Sequence, residues 1–427
     1  MIHLRKQHLD GQIGGMVSVC SSHPTVLQAA MELAASEKRP ILVEATPNQV
    51  NLSGGYTGMT PLAFSAFIRR LSAPVGLPAE QIIIGADHLG PHVWKKEDAA
   101  IAMTKAAALA SHCVAAGFRK IHLDTGMCCA DDSGPVLPPE IAASRAVQLC
   151  LAAENAASDR PDCDRPWYVI GNEVPPPGGG LEDIDLVTIT RPDILFSSIK
   201  IYENAFCQSG LSSAWQRVIA VVAQPGVEFG DRVICPYDHD RATALSACHS
   251  HLPNQMTFEI HATDYQTPDA LKQMVADHFI LLKTGPCLTF AFREAVYALA
   301  RIEDACPGIS VRSHLRQVME NLMMRHPEHW RAHYPEDTAE SLRFLLHYSF
   351  RDRIRYYWTH PEAMAAWDQL IQNLKGPIPE ALLRQFLPDL LPEIKNGTLS
   401  PEPLTLVKRR IQNALKPYLA ACRQKSL

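Results

Sequence analysis

The sequence predicts an α/β protein: a (β/α)8 TIM barrel over residues 1–305, followed by a C-terminal helical extension over 306–427. Three observations predict it. Short, continuous β-branched runs recur, and most are followed by Ala/Leu-rich stretches with apolar residues at helical spacing, as for parallel strands buried on both faces. Eight such units fit into roughly 300 residues, the length of one closed barrel. No Gly-rich dinucleotide turn follows an early strand, as an open doubly wound sheet would require; "GGYTG" (54–58) has the wrong spacing.

The predicted strands run in order. "GMVSVC" (15–20) precedes the helical "TVLQAAMELAASE", and "RPILVEA" (39–45) precedes "TPLAFSAFIRRL". "QIIIGAD" (81–87) precedes "DAAIAMTKAAALASHCVAAG", and "FRKIHLD" (118–124) precedes "PPEIAASRAVQLCLAAENAA". "PWYVIGNE" (166–173), "RVIAVVAQ" (217–224), "MTFEIHAT" (256–263) and "HFILLKTG" (278–285) complete the set. Between the fifth and sixth, "PDILFSSIKIYENAFCQSG" predicts a helix closed by Gly210. Beyond residue 305, "SHLRQVMENLMMRHPEHWRAHY", "AESLRFLLHYSFRDRIRYYW", "PEAMAAWDQLIQNL" and "LVKRRIQNALKPYLAACRQ" are amphipathic helices, suited to capping the barrel or to a homo-oligomer interface.

Bulk properties exclude some function classes. The net charge of -5 with no Lys/Arg block argues against nucleic-acid or anionic-membrane partners. No apolar run approaches the ~20 residues of a membrane span. "MIHLRKQHLDGQIGG" holds no apolar stretch of a signal peptide, so the expectation is cytoplasmic, with the 12 Cys reduced and space-filling. No P-loop appears, which argues against a sugar-phosphate kinase.

In this fold chemistry belongs to the C-terminal strand ends, and polar residues gather there. They are Glu44, Asn48 and Gln49 after strand two, Asp87-His88 at three, His122 and Asp124 at four, and Asn172-Glu173 at five. Gln224 and Glu228 follow at six, His261 and Asp264 at seven, and Lys283 at eight. Two histidines and several carboxylates converging on one mouth point to a divalent-metal or acid/base site. Asp87-His88 suits one residue holding a cation and the other moving a proton. The glycines of "GGYTG", Gly55 among them, and "KTGP" (283–286) are candidate phosphate loops. In "RDRIRYYW" (351–358), Arg351, Arg353 and Arg355 stand beside two Tyr and a Trp; phosphate binding and a buried ion-pair cluster both stay open.

These residues fall in long motifs: "VEATPNQVNLSGGYTGMTP" (43–61), "GADHLGP" (85–91), "KIHLD" (120–124), "YVIGNEVPPPGG" (168–179), "AQPGVEF" (223–229), "EIHATDYQT" (259–267), "LKTGPCLTFAFREA" (282–295) and "RDRIRYYW". Together they resemble the GatZ/KbaZ family over nearly the whole chain. The resemblance implies a TIM barrel related to class II aldolases. It also implies one of two activities. One is a D-tagatose 6-phosphate/D-fructose 6-phosphate 4-epimerase of galactitol- or hexitol-type sugar catabolism. The other is a chaperone-like, non-catalytic subunit partnering a class II tagatose-1,6-bisphosphate aldolase chain. By likeness to class II aldolases, His88, Glu173 and His261 would hold a divalent metal (zinc first; magnesium, manganese, cobalt or nickel as alternatives). Asp87 would move a proton, with Glu44 or Asp124 as alternates. Asn48, Gln49, Gly55, Gln224, Asp264, Lys283 and Arg353 are the candidates for binding the phosphorylated ketohexose. Two departures stand out: "AQPGV" replaces the aldolase metal histidine of the sixth strand, and "KTGP" replaces the aldolase N-x-D after the eighth.

Overall fold

A computed structural model describes residues 2–10, 12–134, 136–171, 187–254, 256–334, 338–423 and 425–426. Eight parallel strands close into a barrel: β1 (Met16–Val19), β2 (Ile41–Ala45), β3 (Ile82–Leu89), β4 (Lys120–Leu123), β5 (Trp167–Ile170), β6 (Val218–Val222), β7 (Thr257–Ile260) and β8 (Leu281–Thr284). Each sits within the run that predicted it except β3, which continues two residues past "QIIIGAD" to Leu89. The ring closes where β8 pairs β1, from Leu281 opposite Met16 to Thr284 opposite Val19.

Helix α1 (Ile2–Leu9) precedes the barrel. Around it lie α2 (Pro24–Ser36), α3 (Pro61–Ser72), α4 (Ala99–Ala115), α5 (Pro139–Ala156), α6 (Pro192–Gln208), α7 (His239–Ser246), α8 (Pro268–Ala276) and α9 (Pro286–Ala305). The helix predicted between the fifth and sixth strands is α6. Most of these helices begin with proline, whose missing N–H costs nothing in a first turn. The cysteines are unpaired, and several pack in the core.

The extension contributes α10 (Leu315–Arg325), α11 (Ala339–Tyr348), α12 (Pro361–Asn373), α13 (Glu380–Phe386) and α14 (Pro403–Ala421). Helix α14 packs on α9, α2 and α8, and its apolar face joins the core of the barrel layer. Polar contacts fix it there. Lys408 pairs with Glu32 at 2.6 Å, and the Arg39 guanidinium donates to the carbonyls of Leu419 and Cys422 at 2.6 and 2.7 Å. Barrel and extension therefore share one core, and we propose the division at residue 305 as a change of topology rather than a break in packing. Among the described residues no helix is long and apolar enough to cross a membrane.

The barrel floor is apolar. Val169, Ile219, Val222 and Leu281 form a small interior cluster, against which Leu4 of α1 packs. His8 of the same helix meets His278 in a ring-nitrogen contact, and the His278 ring stacks on His249 with centroids 3.4 Å apart. Burial, with a neighbouring imidazole adding to it, pushes both His8 and His278 down to about 4. The bond needs one N–H and one lone pair, so protonating both partners breaks it. An unfolded histidine titrates near 6.5. Below that pH the unfolded segment binds more protons, and the docked state loses stability progressively toward pH 4. The protection factors of the amides in residues 2–9 are therefore expected to be high at pH 7.5 and to fall by pH 5. Equal protection at both values would refute the His8 contact as the latch.

Candidate active site

Strand β3 supplies the first pair of side chains by breaking its own regularity. Neighbours on a strand face opposite ways. Asp87 and His88 nonetheless both turn to the centre, because His88 adopts a left-handed backbone, φ 51°, and the β3–β4 register shifts between Ala86 and Leu89. Such a conformation costs a non-glycine residue about 1–3 kcal/mol and persists where the surroundings enforce it. Here the His88 amide donates to His122 Nδ1 at 3.2 Å, and its Nδ1 bonds Asp124 Oδ2 at 2.7 Å.

Inward positions two apart on other strands complete the centre. Strand β4 contributes Lys120 and then His122; β7 contributes Glu259, with His261 just beyond its end. The three imidazoles of His88, His122 and His261 form a triangle, with ring centroids 5.1, 4.8 and 5.3 Å apart. With Asp87 they offer four ligand atoms all within 4.8 Å of one another. His122 is the member that the expected set of His88, Glu173 and His261 omitted. Glu173 lies outside the described residues, as does Asn172.

The donor set suits a divalent cation. Gly171's carbonyl, 3.2 Å from His122 Nε2, can only accept, so Nε2 carries the proton and Nδ1 keeps its lone pair. That lone pair takes the His88 amide and faces Asp87 Oδ1 at 3.0 Å, so a cation held there by His122 would replace the amide bond. His261 engages Glu259 Oε1 through Nε2 at 3.1 Å, which leaves Nδ1 for a metal. Burial first, then the Lys283 charge, pushes His261 down to about 3, so its imidazole is neutral, the ligating form. Asp124 stands behind His88 as a carboxylate that fixes ring orientation and leaves Nε2 pointing inward.

Beneath the imidazoles lies a buried charge network. Lys120 Nζ pairs with Glu44 at 2.5 Å and with Glu259 at 2.6 Å, all three essentially inaccessible to solvent. Ser18 also donates to Glu44, at 2.6 Å. Gly85 of β3 makes room: a Cβ there would sit 2.7 Å from Glu44 Oε1. Lys283 caps the layer, 3.1 Å from Glu44 and in close ion-pair contact with Asp87. Burial would raise the Asp87 carboxyl, but His88 and Lys283 beside it hold it well below the usual range.

The structure engages several of the expected residues within the protein itself. Glu44 is a partner of Lys120, not a free base. Asp124 orients His88, which fills both of its roles as hydrogen-bond acceptor and counter-charge. Lys283 is spent on Asp87 and Glu44 inside the barrel and is no phosphate anchor. Asp264 accepts the Gly285 and Cys287 amides at 2.9 and 2.8 Å and so caps α9, which removes "KTGP" as an anion loop. Gln224 folds its side chain back on the Gly226 and Val227 amides. Gly55 is needed for the tightness of its turn, φ 56°, since a Cβ there would lie 2.5 Å from the Gln49 carbonyl; its amide is taken by Asn51 Oδ1 and does not cradle an anion. Asn48 gives its carbonyl to the Tyr56 amide of the same turn. Arg353 is buried, donating through Nε to the His329 carbonyl and lying over the Tyr356 ring. Gln49 does reach the mouth, beside Tyr56.

One residue noted after the sixth strand, but given no role there, is distinctive in the structure. Glu228, 3% exposed, is pushed up to about 7 by burial, with Asp264 adding to the rise. Only its Oε1 finds a partner among the described residues, the Phe229 amide.

A family model described as D-tagatose-1,6-bisphosphate aldolase subunit GatZ/KbaZ-like matches residues 1–423. A solved structure of a probable tagatose 6 phosphate kinase from Sinorhizobium meliloti 1021 is 42% identical, superimposes with a TM-score of 0.86, and covers 96% of this chain and 100% of that one. Two aldolases overlap far more loosely. YdjI of Escherichia coli K12 has a TM-score of 0.41 at 10% identity, covering 83% of this chain and 94% of its own. A fructose-bisphosphate aldolase of Campylobacter jejuni has 0.42 at 12%, covering 90% and 92%.

Two outcomes follow from this geometry. Lys120→Met leaves Glu44 and Glu259 without their shared cation, and is expected to cost about 3–5 kcal/mol in urea unfolding; an unchanged midpoint would refute the network's role. Asp124→Asn is expected to weaken zinc affinity roughly 10- to 100-fold while His122→Ala removes tight binding. Titration calorimetry showing wild-type affinity in both would dismiss the triangle as a metal centre.

Proposed function

The chain belongs to the D-tagatose-1,6-bisphosphate aldolase subunit GatZ/KbaZ-like family, and from that premise we propose that it is a metal-dependent ketohexose-phosphate 4-epimerase interconverting D-tagatose 6-phosphate and D-fructose 6-phosphate. One observation carries the reading: His88, His122, His261 and Asp87, drawn from three strands that are not all neighbours, converge at the catalytic end of the barrel.

Inversion at C4 of a 2-ketose cannot proceed by direct proton removal, because C4 is not adjacent to the carbonyl. A retro-aldol route avoids this. Loss of the C4 hydroxyl proton turns C4 into an aldehyde carbon, and the C3–C4 electron pair passes to C3 as an enediolate. The aldehyde fragment rotates, C3 attacks its other face, and the proton returns to the C4 oxygen. A divalent cation on the three imidazoles would stabilise the enediolate as a Lewis acid. Asp124 keeps His88 oriented throughout. Asp87 takes and returns the proton; its ammonium neighbour keeps it ionised over the whole neutral range. Glu228, raised toward neutrality by burial beside Asp264 of the loop after β7, is the alternative that a pH profile tests.

A second reading, a non-catalytic partner of a class II aldolase chain, is favoured by the family's description as an aldolase subunit and by Lys283 neutralising Asp87. Incubation of the isolated chain with fructose 6-phosphate separates the two. The epimerase reading expects tagatose 6-phosphate, abolished by EDTA, restored by a divalent metal, and reduced at least ~100-fold in Asp87→Asn with metal still bound. A rate that inflects near pH 7, and loses the inflection in Glu228→Gln, would transfer the proton to Glu228. No product with any divalent metal, together with a stable complex with an aldolase chain, would establish the partner role instead.

A further inference from the structure

The extension reaches the mouth of the barrel through the turn after α11. Tyr265, in the loop after β7, donates to the Phe350 carbonyl at 2.6 Å, and Arg293 of α9 pairs with Asp352 at 2.8 Å. These two contacts place the short helical turn Arg353–Tyr357 over the loops that follow β1, β2 and β8. Between turn and loops lies a narrow cleft lined by Ser21, Ser22, Gln49, Tyr56, Thr289 and Arg355.

Cys20, His23, Gly285 and Thr359 complete the lining, which mixes apolar surface with hydroxyl groups, one carboxamide, one imidazole and one guanidinium and holds no carboxylate among the described residues. Ser22 Oγ and Tyr56 Oη are 3.3 Å apart, and the Tyr56 ring meets Tyr356 edge-on at 4.6 Å, which holds the phenol in place. Arg355 stacks on the same Tyr356 ring at 4.5 Å. Its Nη1 donates to the Arg351 and Asp352 carbonyls, and its Nη2 to the Tyr356 hydroxyl. A guanidinium carries five N–H donors, so these three bonds leave two for a ligand, and no carboxylate pairs with it among the described residues. At the inner end of the cleft, Cys20 lies close enough to Lys283, Asp87 and Glu44 to sense their charges, so cleft and charged centre adjoin.

We propose that this cleft is the anion subsite that holds the phosphate of the sugar, with Arg355 as its cation and Ser22, Tyr56 and Gln49 as neutral hydrogen-bond partners. The proposal rests on the sugar-phosphate reading above and deepens it: among the described residues the extension supplies the one arginine or lysine of the cleft, so the barrel alone would lack its anchor. It also explains why Lys283 and the "KTGP" loop are free to be committed to internal carboxylates and the α9 cap. A phosphate held here while C3–C4 is broken would keep the aldehyde fragment from diffusing away, yet allow it to turn about its tether.

The test measures binding rather than turnover. Full-length, EDTA-treated protein is titrated with inorganic phosphate, fructose 6-phosphate and fructose, so that neither a bound metal nor catalysis contributes. The wild type is expected to bind both phosphate ligands and to bind fructose far more weakly. Arg355→Gln should weaken the phosphate ligands roughly 10- to 100-fold, the worth of a charge-assisted hydrogen bond, and leave fructose unchanged. Because Arg355 also braces its own turn, Ser22→Asp provides the second variant: a carboxylate in the cleft should exclude both phosphate ligands while leaving the fold intact by circular dichroism. Folded variants that bind phosphate as the wild type does, or a wild type that does not prefer fructose 6-phosphate to fructose, would overturn the subsite. Arg355-dependent phosphate binding without any epimerisation would keep the subsite and remove the epimerase.

Discussion

Lys120, sealed between Glu44 and Glu259 at the centre of the barrel, is the interaction on which the rest of the arrangement stands. The interior of such a barrel is usually filled by layers of branched apolar side chains. Here only the floor is, around Val169, Ile219, Val222 and Leu281. The layer above is ionic, and buried ions are tolerated only when each finds its partners. Three carboxylates, Glu44, Glu259 and Asp87, face two ammonium groups, Lys120 and Lys283, which leaves a formal surplus of one negative charge just under the three imidazoles. A cation bound by those rings would sit where the field already favours it. The network thus prepares the centre electrostatically as well as geometrically.

Much of this was legible in the sequence. The eight strands were readable because both faces of each are buried, which writes a continuous apolar run. The end of the barrel that holds the candidate site was readable because polar residues recurred at one end of those runs. Asp87, His88 and His261 emerged from that pattern. His122 also stood at a strand end, but its membership in the cluster depends on the bulge at His88, and a change of strand direction leaves no mark in composition. Lys120 and Glu259 each lie two residues before a histidine of the triangle, on the same inward-facing register. That period-two pairing was a usable signal, hidden because buried charges are rare enough to be discounted.

The expected residues that the fold engages internally share one physical cause. Lys283, Asp264, Gln224 and Gly55 were read as free donors or acceptors turned toward a substrate. Each is instead consumed by a partner that only the folded chain brings near: a carboxylate across the barrel, a helix terminus, a pair of loop amides, an asparagine in the same turn. Sequence shows which groups a residue carries, and tertiary structure decides which remain unspent. Arg355 is the converse case, one arginine among three that looked equivalent.

The backbone at residue 88 has a consequence for how this protein tolerates change. Its dihedral angles suit glycine, while its side chain is an imidazole that the centre requires. Glycine there would relax the main chain but leave the buried Asp124 and Asp87 carboxylates short of a partner. Backbone ease and charge balance are set against each other at a single position.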